Sequence, residues 1–157
     1  MENASKALIM AGGVLIGVLI LSLWAYLFVS FGTQAAEISK QNEQTKIAQF
    51  NTQFTSYEGK EGLTIYDIIT VAGLAKQNND YYENDNNYKV IVEIKRFSDN
   101  KRYTNIENMD DEKKKKLINT DKSLINQLNP SLPQYKCEVE YKSSTGRVSK
   151  VIFTYKN

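Results

Sequence analysis

The stretch ALIMAGGVLIGVLILSLWAYLFVSF, residues 7–31, carries no charged side chain over twenty-five consecutive positions. A helix of about that length reaches roughly 37 Å, enough to cross a bilayer with some tilt. In lipid the backbone must satisfy its own hydrogen bonds, and a helix does so. The run exceeds the apolar core of a cleavable signal peptide, and TQAA at residues 33–36 is a poor cleavage site, so we expect an uncleaved anchor. Everything after it reads as a polar object held at a membrane.

Within the run, Gly13 and Gly17 form a GxxxG with Gly12 beside it. Small residues one turn apart let a second helix approach closely, so Gly13 and Gly17 are the candidate packing positions in the membrane. Trp24, Tyr26, Phe28 and Phe31 mark the end where aromatic rings favour the interface. We expect a short tail at residues 1–6 on the cytoplasmic side, a membrane helix at 7–32, and the remainder outside.

From residue 35 to residue 57 there is neither Pro nor Gly. Ile47, Phe50, Phe54 and Tyr57 make one helical stripe, while the residues before them are polar. The reading is a helical stalk at residues 33–57, with a kink at Gly32, that becomes amphipathic where it meets a head at residues 58–157. Residues 58–62, EGKEG, break the helix. Thr64 caps a second helix with Asp67 three positions on, and Ile65, Ile68, Ile69, Ala72, Leu74 and Ala75 form its buried face as far as residue 76.

Residues 78–87 read as a polar loop, and residues 88–97 as a strand facing inward through Val90, Val92 and Ile94. A short return strand is expected at 102–106. Residues 109–129 read as helix, interrupted near Thr120, with Asp110 and Asp111 at its start and Leu117, Leu124, Ile125 and Leu128 inward, stopped by Asn129-Pro130. Tyr135, Cys137, Val139 and Tyr141 alternate with charged residues, the clearest half-buried strand. Ser143–Gly146 turns it into a last strand with Val151, Phe153 and Tyr155 on one face. The expectation is an α+β fold: a long N-terminal helix packing on a small antiparallel sheet, with two further short helices.

Composition limits the chemistry. The chain of 157 residues has no His, one Cys and a net charge of +2. The absence of His removes the commonest general base and metal ligand, so catalytic residues, cofactors and metals are all expected to be none. Cys137 reads as a small buried hydrophobe. The oxygen-rich loop of Asp80, Glu83, Asp85, Asn86 and Asn87 lacks calcium-loop spacing and reads as solvated. Two partner surfaces stand out. Lys113, Lys114, Lys115 and Lys116 offer positive charge, although no aromatics interleave with them, which argues against nucleic acid. Tyr81 and Tyr82, with Tyr88 and Tyr103, either form an exposed patch or pack over the sheet edge. No small-molecule substrate is evident.

The layout of apolar helix, amphipathic continuation and sheet resembles type IV pilins and pseudopilins. The likeness is one of architecture across residues 7–31, 35–57 and the three later strands, with no processing motif behind it. It implies a non-enzymatic, single-pass structural or accessory subunit of a cell-envelope assembly that meets protein partners or copies of itself. The Asn-, Lys- and Ile-rich composition and the lack of disulfides suit a bacterial, Gram-positive-type envelope. The other reading is a tethered binding module for an envelope polymer or peptide.

Overall fold

The computed structural model describes residues 2–60, 62–128 and 134–156, without the side chains of residues 124–128. The fold is α+β: α1 (Glu2–Thr55), α2 (Ile65–Tyr81), β1 (Ile91–Arg96), a 3₁₀ turn (Ile106–Asn108), α3 (Asp111–Leu128), β2 (Tyr135–Tyr141) and β3 (Val148–Tyr155). The chain divides into two units, residues 1–45 and 46–157. In the first, α1 is helical throughout, Gly32 included. Every large apolar side chain from Leu8 to Phe31 is exposed. By length and composition α1 can cross a membrane.

The second unit holds the core. The last turns of α1 supply Phe54, fully buried, with Phe50 edge-on at 5.3 Å and Tyr57 packed nearby. Truncating such a ring to Ala costs about 3–5 kcal/mol. The α1 helix ends where expected, in the turns before Gly59. The cap of α2 also forms as expected: the Thr64 N–H and hydroxyl both donate to the Asp67 carboxylate at 2.8 Å. Ile65, Ile68, Val71, Ala72 and Ala75 are buried on α2, which runs on to Tyr81 and so absorbs the first residues of the expected loop.

The sheet departs from expectation in its pairing. β1 lies parallel to β3, β2 lies antiparallel to β3, and the order is β1-β3-β2, so the sheet is mixed rather than antiparallel. The alternation of Val90, Val92 and Ile94 is the same in either direction, because it reports which face is buried and not which way the neighbour runs. Val92 sits opposite Val151, and Ile94 and Cys137 flank Phe153, on the buried face. The opposite face carries Lys150 beside Glu93 and Glu140 at 4.0 and 3.8 Å.

Tyr141, expected inward, is instead 50% exposed. It is the last residue of β2, paired with Val148 just beyond a bulge that leaves Ser149 of β3 without an opposite number, where the sheet gives way to the hairpin loop. The β2–β3 loop closes as a four-residue connection, Lys142 N–H donating to Arg147 O at 2.8 Å. Gly146 within it has φ 66°, a conformation that costs a residue with a Cβ. The return strand shrinks to one bridge, Tyr103 with Ile94, before Asn105 at φ 55° leads into the 3₁₀ turn. Helix α3 shows no break at Thr120 and buries Leu117. The inward side chains expected at Leu124, Ile125 and Leu128, and the Asn129-Pro130 stop, lie outside the described residues.

Candidate functional site

An outer strand presents unpaired backbone groups, and β1 has them covered one by one. Asn79 Nδ2 donates to Val90 O at 2.8 Å, and Val90 N–H donates to Asn79 Oδ1 at 2.7 Å. Two residues on, Val92 N–H donates to Glu107 Oε2 at 2.9 Å. Two further on, Ile94 exchanges two backbone hydrogen bonds with Tyr103. This closes the edge against another strand with side chains from α2 and the 3₁₀ turn. Burial holds the Glu107 carboxyl above the usual carboxylate range, while the Val92 N–H pulls the other way.

The same elements frame a groove of about 610 Å³. It is lined by Asn79, Asn86 and Lys89 from α2 and the loop after it, and by Asn105, Glu107 and Asn108 from the 3₁₀ turn and the residue before it. Ile91 and Lys150 come from the first residues of β1 and β3, paired directly. Tyr141, Lys142, Ser143 and Ser149 close it from the β2–β3 hairpin. The lining brings together three lysines, the buried Glu107 carboxyl, several amides and the hydroxyls of Tyr141, Ser143 and Ser149. Among the described residues Lys89 and Lys142 have no ion pair, and both bridges of Lys150 are long. Tyr141 and Ile91 expose apolar surface, 50% and 39%. The groove is therefore polar, cationic and furnished with an aromatic ring.

Below the hairpin loop, Arg147 is nearly buried, and its guanidinium lies over three rings: Phe50 at 3.6 Å, Tyr82 and Tyr88 each at 5.2 Å. Its Nη2 donates to Asn78 Oδ1 at 3.0 Å. Asn51, one residue along α1, receives Val148 N–H and donates to Gly146 O. The loop, the end of α2 and the end of α1 are clamped together here. On the far side, Ser98 Oγ and Tyr135 OH both donate to Asp121 Oδ1, at 2.6 and 2.7 Å. Asp121 Oδ2 is buried without a hydrogen-bond partner among the described residues. Burial raises the Asp121 carboxyl, and it raises the Tyr135 hydroxyl further.

The residues singled out in the sequence do not converge. Tyr82 stacks on Tyr88 at 4.8 Å within the Arg147 cluster, and Tyr103 packs on Phe97 and donates to Asp99, so these rings are structural. Tyr81 alone of the four is largely exposed, edge-on to Tyr82. Lys113, Lys114, Lys115 and Lys116 lie in the first turns of α3, where successive side chains diverge by about 100° and so do not share one face. Lys113 is engaged by Asp110 at 3.0 Å. Gly13 and Gly17 lie one turn apart with open space where a Cβ would stand.

The groove escaped the sequence because its residues come from four separate segments. Tyr141 at the end of an alternating strand is the one available signal, and by its alternation it reads as core, whereas it is half exposed. No family model, curated protein or solved structure matches the chain.

Proposed function

We propose that this chain is a non-enzymatic, single-pass membrane-anchored protein whose head stands outside the cell as a pilin-like structural or accessory subunit of a bacterial envelope assembly. The observation that carries the reading is the exposed apolar surface of α1 from Leu8 to Phe31, on a helix long and apolar enough to cross a membrane. Each such side chain gains about 1.5–3 kcal/mol on leaving water, so the surface belongs in lipid or against other helices. Gly13 and Gly17 supply the close-approach face for a second copy. The last turns of α1, through Phe50 and Phe54, belong to the core of the head.

The full-length chain in detergent tests this by sedimentation across a concentration series. Self-association that is lost in Gly13→Leu and Gly17→Leu supports it. A chain that stays dissolved after high-speed centrifugation without detergent, or one monomeric at every concentration, overturns it. Protease treatment of intact cells reads the orientation: a head cleaved from outside supports the topology, and a protected head overturns it.

A further inference from the structure

We infer that the groove between the β2–β3 hairpin and the 3₁₀ turn binds a polyhydroxylated polyanion, a chain of sugar or polyol units bearing carboxylate or phosphate groups. Three features lead there independently of α1. The first is charge: Lys89, Lys142 and Lys150 converge on one groove of about 610 Å³, two of them without an acidic partner among the described residues. Lys150 has Glu93 and Glu140 beside it at 4.0 and 3.8 Å, which leaves Lys89 and Lys142 as the charges an anion would meet.

The second feature is hydrogen bonding. Asn86, Asn105 and Ser149 line the same groove, and amides and hydroxyls both donate and accept. That two-way capacity matches hydroxyl groups, which do the same, better than it matches a bare inorganic anion. The third is Tyr141, half-exposed at the end of β2, where it lines the groove. A flat ring beside polar groups suits the apolar face of a sugar or polyol unit. Part of the lining is also held in place: Glu107 is pinned by Val92 N–H and Asn108, and Asn79 by Val90, so little ordering of these groups is needed on binding.

The inference rests on no property of the membrane helix, so its failure leaves the anchoring proposal standing. The test uses the full chain in detergent, with calorimetry or fluorescence anisotropy, against four probes. These are oligogalacturonate, poly(glycerol phosphate), a neutral dextran oligomer and polyglutamate. Binding of oligogalacturonate or poly(glycerol phosphate), weakened by salt and absent for dextran, is expected, and which of the two binds more tightly identifies the carboxylate or phosphate source. The double variant Lys89→Gln, Lys142→Gln should weaken it by about tenfold or more, and Tyr141→Ala by several-fold. Lys114→Gln, Lys115→Gln on α3 should leave it unchanged. Circular dichroism of each variant establishes that the head remains folded. Polyglutamate binding as tightly as the hydroxylated polymers, no dependence on Tyr141, loss in the α3 variant, or no binding by either hydroxylated polyanion would each overturn the assignment.

Discussion

The guanidinium carbon of Arg147 lies 3.6 Å from the centre of the Phe50 ring. One side chain is in the β2–β3 loop and the other in the last turns of α1, so their contact ties a hairpin to a helix almost a hundred residues earlier. Arg147 is nearly buried there and meets two more rings. Replacing it with Lys keeps the charge but loses the plane that stacks. Arg147→Lys is expected to cost about 1–2 kcal/mol, read from urea unfolding of the head in detergent. A double-mutant cycle with Phe50→Leu should return a coupling of about 0.5–2 kcal/mol; additive effects would show that the stacking contributes nothing.

The edge of β1 gives a second prediction. Asn79 supplies both a donor and an acceptor to Val90. In Asn79→Asp the acceptor survives, but a carboxylate oxygen then faces Val90 O. The variant should lose about 1–3 kcal/mol, and the Val90 amide should exchange faster with solvent. Unchanged stability would mean that water replaces the side chain at no cost.

The pH dependence follows from the buried carboxyls. Burial raises Asp121 above its ordinary 3.8 and Glu107 above 4.5. The native chain then holds those protons more tightly than the unfolded one, so both groups reduce stability as pH rises from the ordinary values through the raised ones. Asp99 and Glu138, held low in the fold, act oppositely and lose their contribution as pH falls through the acid range. Asp121→Asn isolates the first effect. Unfolding midpoints of wild type and variant at pH 4 and pH 7 should show the wild type's relative advantage larger at pH 4; a constant difference would place the Asp121 carboxyl at its ordinary value.

Cys137 is buried on the inner face of β2, and burial pushes its thiol up to about 12, with the Glu58 and Glu138 charges adding to the effect. Against an ordinary 9.0, that leaves about a thousandfold less thiolate at pH 8. A disulfide reagent should therefore react slowly with the folded chain and at the normal rate in urea. Rapid reaction in the folded state would show that β2 opens locally.

Much of the architecture was legible in order along the chain. An uncharged run of twenty-five residues, a capped helix at Thr64, the inward faces of Val92, Cys137 and Phe153, and the four-residue hairpin loop are local patterns. Each depends on spacing within one segment. The candidate groove was not legible. Lys89, Tyr141 and Lys150 become neighbours only once three strands choose an order, and nothing local marks that choice.

The sequence by itself determined the apolar helix, the type of each main helix and strand and much of the core, though it placed Tyr141 inward and a strand at 102–106. Periodicity records burial, and burial is a property of each segment. Tertiary structure alone decided that β1 runs parallel to β3, that a bulge interrupts β3 at Ser149, and that Arg147 sits among Phe50, Tyr82 and Tyr88. Strand direction and register are set by which distant segments pack together, and that free energy is shared between elements rather than carried by any one of them.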